Sequence, residues 1–134
     1  MAWGAHNRTI HVFNWVTRQE GGSMEISSIQ ARLQAFSAER NWEQYHSPKN
    51  LAMALAVEAA ELMEIFQWVG AEESRNIVNH PDKMEQVGAE LADVCVYAIR
   101  LADVTGIDLE AAIHRKIDRN AEKHPSDANR HWSM

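Results

Sequence analysis

The sequence lacks features that several common classes of protein need. Its single cysteine, Cys95, excludes an intramolecular disulfide framework and fits a reducing cytoplasm. No apolar run approaches the roughly 18 residues that a membrane-spanning helix needs, and the N-terminus has no compact apolar segment of the secretory type. Lys and Arg number 13 against 19 acids, for a net charge of -6. Such a chain is a poor candidate for binding nucleic-acid polymers, which relies on basic surface.

Motifs of several well-known enzyme classes are also missing. There is no Gly-x-x-x-x-Gly-Lys phosphate loop, which excludes a P-loop NTPase at the level of motifs. The lone cysteine and the scattered histidines do not form a zinc signature. Di-iron bundles pair their carboxylates with two Glu-x-x-His motifs, and the only match is Glu43 to His46, just before Pro48. A di-iron oxidase is therefore disfavoured.

The length and the hydrophobic pattern indicate one domain. A chain of 134 residues is ordinary for a single globular domain. Residues 1–23 show no sustained helical period, so we expect an N-terminal extension that is not part of the fold. From Met24 onward apolar residues recur at helical spacing, and no credible pair of strands is present. We predict one domain over residues 24–125, followed by a C-terminal tail at 126–134.

Helix start and stop signals divide this domain into four segments. Ser47 before Pro48 is typical of an N-cap and first helical residue, and Asp108 is a second candidate cap. Gly70 and Gly106 are typical of residues that follow a helix end. The pattern predicts an all-α fold, a four-helix bundle. The predicted helices span residues 25–40, 48–69, 81–105 and 109–123.

Two of these helices carry a pair of acids on an apolar face. At about 100° per residue, Glu58 lies inside the apolar stripe of the second helix and Glu61 at its edge, whereas Glu64 points toward solvent. Glu90 and Asp93 take the matching positions on the third helix. A buried charge without a partner is costly, and no Lys or Arg within four residues explains Glu58 or Glu61 as a local ion pair.

Carboxylates that face one another repel unless a cation lies among them. Hard divalent cations prefer oxygen ligands, and magnesium commonly retains waters and takes substrate phosphates as further ligands. The two pairs therefore predict a Mg²⁺ site formed by Glu58, Glu61, Glu90 and Asp93. The alternative is a pair of solvated helix faces, on which acids three residues apart are common.

Aromatic side chains follow both acidic pairs. Trp68 and Tyr97 each lie seven residues after an acid, which is about 10 Å further along the same side of a helix. This is a plausible length for a nucleotide with its phosphates at the metal and its base against the rings. Trp42 and His46 precede the second helix and could close over the base, where stacking contributes about 1–3 kcal/mol.

The fourth predicted helix offers a cation and an amide. Lys116 and Asn120 lie four residues apart beside its apolar face, and such groups suit phosphate oxygens. A solvated helix end explains the same spacing equally well, because cations are favoured near a helix C-terminus.

Three segments of the chain together resemble a known family. They are WEQYHSPKNLAMALAVEAAELMEIFQW at residues 42–68, ELADVCVY at 90–97 and KIDRNAEKHP at 116–125. In combination they resemble the MazG-like all-α NTP pyrophosphatases, most closely the branch that includes the dCTP pyrophosphatases. The resemblance covers roughly residues 25–125.

This resemblance implies a function, a cofactor and an assembly. Members convert nucleoside triphosphates to monophosphate and pyrophosphate with Mg²⁺, and they form homo-oligomers, often tetramers, with sites between subunits. Leu33 stands where a base-contacting histidine is expected, so the preferred base stays open. The implied metal ligands are Glu58, Glu61, Glu90 and Asp93, and the implied substrate-binding residues are Trp42, His46, Asn50, Trp68, Tyr97, Lys116 and Asn120.

The resulting hypothesis is in-line attack of a metal-activated water on the α-phosphorus of a dNTP, with a dCTP-like substrate as the first expectation. Glu58 or Glu61 would accept the proton, and the reaction would serve to clean the nucleotide pool. The alternative is an oligomeric helical bundle that binds nucleotides or a protein partner without turnover.

Overall fold

A computed structural model describes residues 25–126, and these residues form five α-helices with no β-strand. The predicted extension, 1–23, and all but the first residue of the predicted tail, 126–134, lie outside the described residues. In chain order the elements are α1 (Ile26–Glu39), a 3-10 turn (Glu43–Tyr45), α2 (Pro48–Phe66), α3 (Ala71–Arg75), a 3-10 turn (Asn76–Asn79), α4 (Pro81–Thr105) and α5 (Leu109–Lys123).

The all-α prediction is confirmed, but the predicted count of four helices is too low. The connection after α2 contains the short helix α3, whose first turn is acidic and whose last turn holds Arg75, a charge distribution that suits the helix dipole. Arg75 also pairs with Glu72 one turn earlier. The second predicted helix ends at Phe66, three residues before the expected Val69.

Capping residues explain why the starts of α2 and α5 and the end of α4 lie where the sequence predicts them. The Ser47 hydroxyl accepts a hydrogen bond from the Asn50 amide at 3.2 Å, and the Asp108 carboxylate accepts one from the Ala111 amide at 2.9 Å. Gly106 adopts a left-handed conformation with φ of 70° and ends α4. These caps satisfy backbone groups that the helix itself leaves without partners.

The end of α1 positions the segment that leads into α2. Asn41 takes the left-handed conformation with φ of 57°, and the Trp42 amide donates to the Ser37 carbonyl at 3.0 Å. The Asn41 amide donates to the Ala38 carbonyl at 3.1 Å, which completes the Schellman pattern of a helix end. Trp42 is thereby held against the last turns of α1.

Helix α4 is the centre of the packing. It lies along α2 over an extended contact and against α1 over a shorter one, whereas α5 makes only slight contact with the other elements. Among the described residues, the buried apolar side chains are Leu51, Ile99 and Ala102. None of the described helices combines the length and hydropathy needed to cross a bilayer.

Much apolar surface stays exposed around this small core. Apolar side chains of this size usually lie buried, and contiguous exposed patches mark interaction surfaces. The groove between α1 and α4 is largely apolar and includes Leu33 and Leu91. Exposed examples on the other faces are Met53, Val57, Met63, Ile113 and Ile117.

The backbone at Gly106 gives a direct test of the α4 end. Gly106→Ala is expected to reduce the free energy of unfolding by roughly 1–2 kcal/mol, because a Cβ atom disfavours positive φ. No neighbouring atom lies within 4 Å of the added Cβ, so the loss reports on backbone conformation alone. Urea unfolding at a fixed protomer concentration measures it.

Gly70→Ala is the matched control, since its φ is -69° and its added Cβ also meets nothing within 4 Å. This variant should change stability by less than about 0.5 kcal/mol. Equal losses in the two variants would contradict the role assigned to the left-handed residue.

Candidate functional site

The packing of α2 on α4 brings the two acidic pairs together. Carboxylate oxygens of Glu58, Glu90 and Asp93 all lie within 4.8 Å of one another, and we call these three residues the carboxylate cluster. Glu58 and Glu90 are half-buried and Asp93 is exposed, in agreement with the predicted inner and outer positions. Oxygen donors at this spacing can hold a hard divalent cation.

Glu61 lies at the rim of the carboxylate cluster. Its side chain is exposed, forms a hydrogen bond with Glu58 and repels the charge on Asp93. Glu64, one turn further along α2, is exposed and outside the cluster, as its helical phase predicts. The structure therefore groups three of the four predicted ligands tightly and places the fourth beside them.

The electrostatics of the cluster show a local excess of negative charge. Burial raises the pKa of Glu58 to about 7, with further contributions from the charges on Asp93, Glu61 and Glu90. Burial and the Glu61 charge raise the pKa of Asp93. Burial, followed by the charges on Glu58 and Asp93, raises the pKa of Tyr97, which places this phenol beside the cluster. A divalent cation bound in the cluster would oppose each of these pKa shifts, because its positive charge favours the ionised form of every nearby acid.

Aromatic groups form a row at the junction of α1 and α2. The Trp42 ring packs edge-to-face against Phe36 at 5.5 Å and against His46 at 6.4 Å between centroids. The Arg40 guanidinium lies 3.6 Å from the centre of the Phe36 ring, on the side that favours a cation. The predicted neighbours Trp42 and His46 are thus in contact, and both are half-buried.

A chain of hydrogen bonds that the sequence did not reveal ends at His46. The buried Arg100 donates from Nε to Nδ1 of His46 at 3.2 Å and from Nη1 to Asp103 at 2.6 Å. Gln34 donates to the other carboxylate oxygen of Asp103 at 2.9 Å. Burial, and then the Arg100 charge, lower the pKa of His46, while Glu43 acts in the opposite direction.

Only one of these hydrogen-bonded pairs could be recognised from the sequence. Arg100 and Asp103 are three residues apart on a helix, so their ion pair could have been inferred from spacing. His46 and Gln34 lie 54 and 69 residues from their partners, and single-sequence patterns carry no information on such pairs.

Other predicted site residues take different positions. Asn50 donates its side-chain amide to the Tyr45 carbonyl at 2.9 Å, so it shapes the turn that carries His46. Trp68 is 88% exposed, and its predicted place on the face of α2 is wrong because the helix ends at Phe66.

The predicted phosphate-binding groups lie on the least packed helix. Lys116 and Asn120 are both exposed on α5, which makes only slight contact with the other elements. Within one described chain they are therefore not held in place by packing against the carboxylate cluster.

Removal of one charge from the cluster should stabilise the metal-free protein. Glu58→Gln is expected to raise the free energy of unfolding near pH 8 by at most about 3 kcal/mol, because the folded state holds a carboxylate whose pKa has risen from 4.5 to about 7. The unfolded chain ionises at the ordinary value, so the gain falls as the pH drops from about 7 toward 4.5. Urea unfolding in EDTA at about pH 8 and pH 5 measures this difference.

Glu64→Gln, on the exposed side of the same helix, is the control and should change stability little at either pH. A gain for Glu58→Gln that is independent of pH, or one that the control reproduces, would contradict the electrostatic account of the cluster.

Comparison with other proteins shows which family the sequence of this chain resembles. A model of the MazG-like family matches residues 53–133. The chain is 40% identical over 95 residues to dCTP pyrophosphatase 1 of Rattus norvegicus, which covers 71% of this chain and 56% of the relative. The protein of the same name from Homo sapiens is 40% identical over 91 residues, which covers 68% and 54%.

A solved structure extends the comparison to the fold. The crystal structure of a pyrophosphatase from Archaeoglobus fulgidus superposes with a TM-score of 0.71 at 34% identity, covering 79% of this chain and 97% of the other. The chain spans about 56% of the length of the curated relatives that it matches. The resemblance predicted from the sequence is confirmed: the chain belongs to the MazG-like family.

Proposed function

We propose that the protein is a Mg²⁺-dependent nucleotide pyrophosphohydrolase that converts a dNTP, with dCTP as the first candidate, to dNMP and pyrophosphate. The observation that carries the proposal is the meeting of Glu58, Glu90 and Asp93 between α2 and α4. The names of the similar proteins, dCTP pyrophosphatase and pyrophosphatase, support the same reaction.

The donor atoms of the cluster favour magnesium as the metal. All are carboxylate oxygens, and no sulfur or imidazole belongs to the cluster. We propose Glu58, Glu61, Glu90 and Asp93 as the ligands. When bound, magnesium would neutralise the excess negative charge and stabilise the charge that develops on the phosphoryl group.

The side chains of α2 supply the proton acceptor in this proposal. Water attacks the α-phosphorus in line with the bridging oxygen of the β-phosphate, the new P–O bond forms, and pyrophosphate leaves with the electrons of the broken bond. Glu58 or Glu61 accepts the water proton. The two carboxyl groups lie close enough to influence each other, so one can take the proton while the other retains its charge.

The aromatic residues suit the nucleoside end of the substrate. Tyr97 lies beside the cluster, and Trp42 and His46 contact each other at the start of α2. We assign these three residues to the base and sugar, with Asn50 holding the turn that carries His46. Trp68, exposed after α2, would stack on the base from outside.

We propose a homo-oligomer, with a tetramer as the first candidate and a dimer as the second. Ile113 and Ile117 are exposed on α5, and the groove between α1 and α4 is apolar, so the described part of the chain presents apolar faces that a second subunit could cover. Association would place Lys116 and Asn120 of one subunit near the cluster of another, where they would bind phosphate oxygens.

The cellular role in this proposal is removal of unwanted deoxynucleotides from the pool in the cytoplasm. The free and exposed thiol of Cys95 suits that reducing compartment.

Loss of the rim carboxylate should stop the reaction. Glu61→Ala is expected to reduce kcat/KM for the best dNTP by about 100-fold or more, while circular dichroism shows unchanged helix content. Glu64→Ala is the matched control on the same helix. In ¹⁸O-labelled water the label should enter the monophosphate and not pyrophosphate, and EDTA should abolish both products.

Two outcomes would overturn the assignment. Near-normal pyrophosphate release by Glu61→Ala would show that the site is wrong. Nucleotide binding without any metal-dependent product, across natural and modified dNTPs, would favour the alternative of a non-catalytic binding bundle.

Shared sites can be tested by complementation between subunits. Glu61→Ala and Lys116→Ala are each expected to be inactive as homo-oligomers, whereas co-expressed mixtures should regain activity because some interfaces combine intact halves. Mixtures with no more activity than the separate variants would show that each site is contained in one chain.

A further inference from the structure

Arg100 is a buried cation with two defined hydrogen-bond partners. Its side chain is 7% exposed, and that of its ion-pair partner Asp103 is 17% exposed, so solvent screens the pair little. The guanidinium uses one nitrogen for the carboxylate and another for the ring of His46. Gln34 on α1 occupies the second oxygen of Asp103 and thereby fixes the carboxylate that orients the guanidinium.

The bond from Arg100 to His46 determines where the imidazole carries its proton. A guanidinium is protonated at all pH values reached in proteins and can only donate hydrogen bonds. Nδ1 of His46 must therefore be the acceptor, since it receives the Arg100 Nε–H at 3.2 Å. A neutral imidazole that accepts at Nδ1 carries its single proton on Nε2.

The charged groups around His46 favour this neutral form. Partial burial disfavours a positive charge on the ring, and the charge on Arg100 of α4 acts in the same direction. Glu43, in the 3-10 turn before His46, opposes them, yet the net effect is a lowered pKa of His46.

The position of Arg100 on α4 relates His46 to the carboxylate cluster. Arg100 follows Asp93 by seven residues, which corresponds to two turns and about 10 Å along the same side of the helix. Tyr97 lies between them on this side. His46, which Arg100 contacts, is thus displaced from the cluster toward the C-terminal end of α4.

We propose that Arg100 and Asp103 are positioning residues that hold His46 in the neutral form with its proton on Nε2, so that His46 offers one hydrogen-bond donor to an acceptor atom of the substrate base. The acceptor is a ring nitrogen or a carbonyl oxygen, as pyrimidines carry. This inference rests on the proposed function for the identity of the ligand, while the protonation state of His46 is a property of the protein alone.

Nitrogen NMR tests the protonation state directly. In protein labelled with ¹⁵N-histidine, His46 should show a protonated Nε2 and an unprotonated Nδ1 throughout about pH 6–8. In Arg100→Met the same ring should titrate within this range and exchange between tautomers. Asp103→Asn keeps the shape of the side chain but weakens its hold on the guanidinium, so it should allow exchange between the two His46 tautomers and serves if Arg100→Met fails to fold. A proton on Nδ1, or an imidazolium at pH 7, in the wild-type protein would overturn the proposal.

Substitution of His46 tests the donor with substrate. Gln can place an amide N–H near the position of Nε2, whereas Asn reaches only the position of Nδ1. His46→Asn should raise KM for the preferred dNTP about tenfold, the loss of one hydrogen bond, whereas His46→Gln should stay within about threefold of wild type, with kcat little changed in both. His80→Asn, in the turn before α4, is the control.

These outcomes separate the two proposals. Equal KM effects for His46→Asn and His46→Gln would overturn the donor role while leaving pyrophosphate release by the wild-type protein intact. Absence of turnover in the wild type would instead overturn the proposed function, and the nitrogen signals of His46 would still decide its protonation state.

Discussion

Repulsion between carboxylates on two packed helices is the constraint on which the site depends. The contact of α2 with α4, anchored by buried residues such as Leu51 and Ile99, holds the three acids of the cluster with oxygens within 4.8 Å of one another. Burial, followed by the charges on Asp93, Glu61 and Glu90, raises the pKa of Glu58, so the ionised cluster is unfavourable without a cation. The repulsion between the carboxylates would be relieved by a bound cation, so it both destabilises the metal-free protein and favours metal binding.

Helix α4 carries opposite electrostatic arrangements at two levels. Its middle contributes Glu90 and Asp93 to the carboxylate cluster, whereas two turns later Arg100 is a buried cation that donates hydrogen bonds to His46 and Asp103. A cation bound at the first arrangement would exchange with solvent, whereas the second arrangement is fixed by buried geometry. This difference suits a nucleotide, whose phosphates need a metal and whose base needs a rigid surface with defined donors.

Helical phase and capping chemistry made much of this structure predictable. The inner and outer positions of the acids follow from about 100° per residue, and Ser47 and Asp108 mark helix starts because their side chains bond amides three residues ahead. The predicted position of Trp68 is wrong because it assumed that the second helix continues to Val69, whereas α2 ends at Phe66. The partners of Arg100 were missed because His46 and Gln34 are distant in sequence. The surroundings of Lys116 could not be predicted, since α5 has little contact with the other described helices.

Anomalous diffraction from crystals grown with Mn²⁺ and a non-hydrolysable dNTP analogue tests the central claim, that the acids of α2 and α4 bind a divalent cation at the substrate phosphates. We expect a manganese peak within coordination distance of Glu58, Glu90 and Asp93, with the analogue's phosphates on its open side and its base toward His46. A peak elsewhere, or an analogue bound away from these carboxylates, would contradict the account.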